Sequence, residues 1–155
     1  MLPLLAAIIA IWGVLTHRAM VRRSNTMQHI ADCEADRDVL EAREKFIELS
    51  SRPGGLAIWA ASENEASEET AAIRLILNDF ELVAVGIQHG IIDFEFYRRY
   101  CHGTIIRYWQ KSAPFVHALR ERVGSQTIYS EFETLHDWVN KNKKPRRSIV
   151  WKKLF

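Results

Sequence analysis

The stretch Leu75–Tyr97, LILNDFELVAVGIQHGIIDFEFY, is the most apolar part of the chain beyond its N-terminus, and it carries polar side chains at fixed steps. Asn78 and Glu81 share one narrow side of a helix with Arg74 and Gln88. A carboxylate inside a helical core is costly unless paired, so Glu81 predicts an arginine partner, with Arg98, Arg107 and Arg120 as the candidates. Such a polar cluster could do acid–base work or hold a small ligand, with His89 and Asp93 across the following turn as further groups. The same residues also fit a plainer description, a structural ion pair and two capping residues, which is the expectation carried into the structure.

Other groupings are thinner. His29 and Cys33 lie four residues apart, one helical turn, as two metal ligands would, but no second half of a ligand set is apparent. Cys33 and Cys101 give neither a disulfide framework nor a zinc spacing. They read as small half-buried side chains compatible with a reducing compartment. No catalytic motif is recognisable, so the chain is expected not to be an enzyme, with no metal and no cofactor.

Two basic stretches remain. In Phe94–Lys111, Arg98, Arg99, His102, Arg107 and Lys111 are interleaved with aromatics that could stack on bases. Their spacing is that of a core face beside a solvent face, which disfavours nucleic acid. The tail KNKKPRRSIVWKKLF mixes cations with aromatics, and Lys143, Lys144, Arg146, Arg147, Trp151, Lys152 and Lys153 are its lipid or nucleic-acid candidates. An anionic leaflet attracts each cation near it by about 1 kcal/mol, so a membrane surface ranks above nucleic acid.

The elements that must position these groups are helical. At 155 residues, with 48% hydrophobic and 26% charged side chains, the chain suits one folded domain. Seven Gly and four Pro argue against a loop-rich β fold. The 21 basic and 19 acidic residues nearly balance, but seven of the basic ones and no acidic one lie from Lys141 onward. Residues 1–140 therefore carry about −5.

Residues 1–21 form the first unit. Met1–Thr16 has no charged side chain, and Ala19, Met20 and Val21 prolong the apolar run. A helix of roughly 16–20 residues rises about 24–30 Å, enough to cross a thin bilayer. Arg18, Arg22 and Arg23 lie on its C-terminal side, which puts the following domain in the cytoplasm, and Trp12 suits an interface. A cleaved signal peptide fits less well, because no basic segment precedes the run and Thr16-His17-Arg18 follows it. A soluble core helix also fits a span this short, as does a start further upstream.

Residues 22–140 form the second unit. Ser24–Ser50 reads as one long helix, with Val39, Ala42, Phe46 and Leu49 on its apolar face. Arg52-Pro53-Gly54-Gly55 ends it. Ser62–Glu69 reads as an exposed loop or as a helix start with Ser67 as N-cap, and in the central helix that follows Ile73, Ile76, Phe80, Val83 and Ile87 keep helical steps, with Leu77, Ala84, Leu75 and Leu82 as flanking stripes. Gly90 stops that helix with Ile91 folded back, and Asp93 caps the next. Pro114 bends or restarts the chain behind Ser112, and a last helix spans Ile128–Asn140. Residues 141–155 are the third unit, the basic aromatic tail.

The expected fold is all-α: a bundle of four to five helices behind a single N-terminal transmembrane helix. The pattern Leu77-Asn78-Asp79-Phe80-Glu81, Val85-Gly86-Ile87, His89-Gly90-Ile91-Ile92-Asp93, Trp109, Pro114-Phe115-Val116, Leu119-Arg120, Tyr129, Phe132-Glu133, Leu135 and Trp138 resembles a bacterial and phage family, domain of unknown function 4760, over about residues 20–140. The resemblance implies an N-terminal hydrophobic helix ahead of an all-helical domain, and no catalytic residues. Phage and prophage occurrence implies action at the inner membrane against a host or a rival phage. The expected function is thus a membrane-tethered cytoplasmic interaction module that holds a protein partner or a second copy of itself.

Overall fold

A computed structural model describes residues 2–143 and Pro145. Five α-helices follow in order: α1 Leu2–Ala35, α2 Arg37–Ser50, α3 Glu68–Gln88, α4 Phe94–Val123 and α5 Ser130–Asn140. Two short 3-10 turns, Ala57–Ala60 and Ser62–Asn64, cross between α2 and α3. No strand occurs among the described residues.

The helices form where caps and apolar spacing coincide. Ser67 accepts a hydrogen bond from the Thr70 N–H at 3.1 Å and opens α3. Ile73, Ile76, Phe80, Val83 and Ile87 are all buried, as are Leu77 and Ala84. Leu75 and Leu82 are not: they face outward, so α3 is covered by α2 and α5 but left bare on one side. Gly90 adopts φ +70°, a backbone conformation that lets the Ile91 and Ile92 N–H groups return to the Gly86 carbonyl. The residue that folds back is Ile92, which is buried, whereas Ile91 is exposed. Asp93 caps α4 by accepting from the Phe96 N–H at 3.0 Å.

This turn yields a stability prediction. A Cβ on Gly86 would lie 2.8 Å from Ile92 Cγ1, closer than side chains pack. Gly86→Ala is expected to cost about 1–3 kcal/mol through overpacking, read as a lowered thermal midpoint. Ala at exposed Gly103, where a Cβ meets nothing within 4 Å, serves as the contrast and should not destabilise.

Three expectations about the elements are corrected. Ser24–Ser50 is not one helix, because Asp36 leaves helical geometry (φ −77°, ψ 117°) and accepts from the Asp38 and Val39 N–H groups. An aspartate that bonds its own downstream backbone starts a helix afresh, so α2 turns away from α1 there. Pro114 does not restart α4, which runs unbroken past it. Pro114 and Gln110, whose carbonyl loses its partner, are both exposed, and Ser112 is buried and donates to the Tyr108 carbonyl at 2.8 Å instead of capping. Finally, α5 starts at Ser130, after Tyr129 takes a left-handed conformation (φ 55°).

The core is aromatic at its centre. The backbones of α3 and α4 seldom approach, and rings fill the gap. Phe80 stacks on Phe132 at 4.5 Å, Trp109 meets Phe132 edge-on at 5.2 Å, and Tyr108 stacks on Phe46 at 4.7 Å. The second half of α1 joins this body. Thr26, fully buried, accepts from the Asp93 N–H at 2.8 Å and donates to the Arg22 carbonyl at 2.7 Å. The apolar window of α1, by contrast, is 0% buried.

Candidate functional site

Glu81 is the first group to place. Its carboxylate accepts from the Phe132 N–H at 2.7 Å, and the Glu131 N–H adds a second backbone bond. These N–H groups belong to the first turn of α5, whose N-cap residue, Tyr129, offers no side-chain bond. Glu81 therefore caps α5 from a different helix, where the positive helix end favours an anion. The expected arginine partner is corrected: backbone donors occupy the carboxylate. Arg120 is close enough to act on Glu81 through space, but it is buried against the Ile128 carbonyl at 2.9 Å and Glu133 at 2.8 Å. Arg98 bonds Glu95 and Asn142, Asn78 is exposed, and Arg107 is exposed on α4. The residues expected to form one polar core cluster are thus dispersed.

Burial raises the Glu81 carboxyl above its usual range, against the lowering effect of the two N–H donors. A carboxyl raised in the folded state favours folding when protonated. Its contribution is present below about pH 4.5 and is lost as pH rises through the folded value. Glu81→Gln is expected to flatten that part of the stability–pH profile, measured by denaturant melts across pH 4–8. Glu81→Ala, which removes the cap, should cost about 0.5–2 kcal/mol.

The concave site lies on the other side of α3. A cleft of about 400 Å³ opens between α2, α3 and α4, with Arg43, Asp79, Tyr97, Tyr100, Arg107 and Lys111 among its walls. Its acids are Asp79 and Glu34, not Glu81. Above it, at the α1 crossing, His29 and Cys33 reach Asp79, with His29 Nε2 at 3.3 Å and Cys33 Sγ at 3.6 Å from Asp79 Oδ1. Arg43 pairs with Glu34 at 2.8 Å on the rim. Burial, with the Asp79 carboxylate next, pushes the Cys33 thiol up to about 12, and burial pushes Cys101 up to about 11. Both thiols therefore stay protonated near neutral pH, and neither is poised as a nucleophile.

Asp79 was not among the candidates read from the sequence, although spacing could have found it. It stands three residues after Ile76 and four before Val83, on the buried side of α3, whereas Asn78 points to solvent. Gly90 and Asp93 do the conformational work expected of them, and His89 is exposed beside His17, Arg18 and Asn25. Of the tail candidates only Lys143 is described, its N–H donating to the Trp138 carbonyl at 2.9 Å. Lys144, Arg146, Arg147, Trp151, Lys152 and Lys153 lie outside the described residues.

Fold and site together define an all-helical protein in which a long apolar N-terminal helix runs into a compact helical body. Residues 1–138 match the family described as a domain of unknown function (DUF4760), and the chain belongs to that family. The match takes in the apolar helix as well as the helical body. No curated protein and no solved structure matches the chain.

Proposed function

We propose that the chain is a single-pass protein of the inner (cytoplasmic) membrane whose helical body works on the cytoplasmic side as an interaction module. One observation carries this reading. The apolar window of α1 has a mean hydropathy of 1.8 and is 0% buried within the fold. Leu4, Leu5, Ile9, Ile11 and Val14 are each more than half exposed, and at about 100° per residue they point in several directions around the helix. A helix that is apolar all round belongs in an apolar environment, and the body supplies none. Residues 2–21 would rise about 30 Å, the thickness of a bilayer core.

Two features extend the reading. The helix continues unbroken into the half fastened by Thr26, which supports a retained anchor over a cleaved leader. Arg18, Arg22 and Arg23 follow the apolar run, which supports a cytoplasmic body. Leu75, Leu82 and Val85 leave an apolar face of α3 bare, the kind of surface a protein partner or a second copy would cover. Fractionation with a carbonate wash tests the anchor. The chain should stay with the membranes, and its release into the supernatant would overturn the proposal.

A further inference from the structure

Three donor atoms of different elements converge where α1 crosses α3. His29 Nε2 and Asp79 Oδ1 are 3.3 Å apart, Cys33 Sγ and Asp79 Oδ1 3.6 Å, and Cys33 Sγ and His29 Nε2 3.7 Å. All three residues are half-buried, and their donor atoms lie within 4.8 Å of one another. Zinc takes nitrogen at about 2.0–2.1 Å, sulfur at about 2.3 Å and carboxylate oxygen at about 2.0–2.2 Å. In a tetrahedron those bonds set the N···O edge at about 3.3–3.5 Å and each edge to sulfur at about 3.5–3.7 Å. The triangle already has these edges, so an ion could be capped by the side chains where they stand.

Two further observations point to an occupant. A cavity of about 20 Å³ is lined by His29, Cys33 and Asp79, with the Glu34–Arg43 ion pair and Cys101 also in its walls. Such a volume admits one water-sized species. The imidazole is also held in place, because the buried Tyr97 ring packs against it at 6.4 Å. Without an ion, the Cys33 thiol hydrogen-bonds Asp79 and His29, and His29 sits at ion-pair distance from Asp79.

We propose that His29, Cys33 and Asp79 bind one zinc-class divalent ion, with the fourth position open to the cavity. Nitrogen, thiolate and a single carboxylate suit zinc or cobalt, whereas magnesium and calcium want oxygen ligands throughout. Binding exchanges the Cys33 thiol proton, released to solvent, for a sulfur–metal bond. The ion would link two elements that packing leaves apart. The backbone of α1 lies against α2 and α4, and approaches α3 at few points. A metal held by two residues of α1 and one of α3 would clasp the N-terminal helix to the central helix of the body.

The test is a Co²⁺ titration of the full chain in detergent after chelator stripping. The expected result is one Co²⁺ per chain with tetrahedral visible bands and a thiolate-to-cobalt band in the near ultraviolet. Zn²⁺ should displace it and raise the melting temperature. Asp79→Asn and His29→Ala should weaken binding by at least the roughly 10–100-fold that loss of an outer-shell partner costs. Cys33→Ser should abolish the thiolate band, and Cys101→Ser should keep it. Circular dichroism of each variant at low temperature shows that it is folded before it is titrated. Absence of saturable Co²⁺ binding by the wild-type chain would overturn the proposal. So would a thiolate band that survives Cys33→Ser and disappears in Cys101→Ser.

Discussion

Phe132→Ala is expected to cost about 3–5 kcal/mol, the largest loss of stability from any single truncation in this core. Phe132 is fully buried on α5 and touches rings from two other helices, Phe80 of α3 and Trp109 of α4. Its removal leaves a cavity that neither rigid ring can fill, and it also forfeits two aromatic pairs, each worth about 0.5–1.5 kcal/mol beyond burial. The loss falls where α3 and α4 depend on side chains, not on backbone approach, to stay joined. Denaturant melts of the full chain in detergent measure it. Phe132→Leu, which keeps most of the volume, should cost less than about 1.5 kcal/mol. Tyr100→Ala, at a side chain 60% exposed, should change little. A loss below about 1 kcal/mol for Phe132→Ala would show that the aromatic centre is not what holds α5 in place.

Placing arginine at both Ile8 and Ile11 is expected to expel the N-terminal helix from bilayers. Each arginine near the middle of a spanning helix costs about 2.5–3.5 kcal/mol on the insertion scale, so the pair costs roughly 5–7 kcal/mol. Ile8 and Ile11 are exposed in the fold, 60% each, and so is Leu82 on α3 at 65%. Exposure alone would make the three sites equivalent. The membrane reading separates them: the Ile8→Arg/Ile11→Arg chain should lose carbonate-resistant flotation with liposomes after cell-free synthesis, and Leu82→Arg should keep it. Unchanged flotation of the double variant would contradict insertion of α1.

Much of the fold was legible because local and global signals agreed. Ser67, the steps from Ile73 to Ile87, Gly90 and Asp93 each state one boundary or one face of α3 and α4, and the structure uses each so. The α1–α2 corner was hidden because Asp36 sits in a run of charged residues that all suit a solvated helix face. Only its backbone geometry distinguishes it as a cap. Pro114 misled for the opposite reason: a strong helix breaker is tolerated where the carbonyl it orphans faces water. The swap of Ile91 for Ile92 turns on the exact geometry of a glycine turn, which composition does not specify.

The site was less legible than the fold. Pairing Glu81 with an arginine considered only charged partners, yet an uncapped helix start supplies N–H donors equally well, and which helix start lies nearby is a tertiary fact. His29 and Cys33 showed two corners of the proposed ligand triangle, and its third lay 46 residues on from Cys33 at Asp79, on a helix that meets α1 only after folding. Asp79 stood on the apolar side of α3, where an acid is costly without a partner. That mismatch was the signal.

Protease treatment of right-side-out and inverted membrane vesicles that contain the full chain tests the central claim most directly. If α1 spans the bilayer with the body on the cytoplasmic side, an epitope fused after Phe155 is removed only in inverted vesicles. Its removal in right-side-out vesicles, or recovery of the chain free of both, would contradict the account.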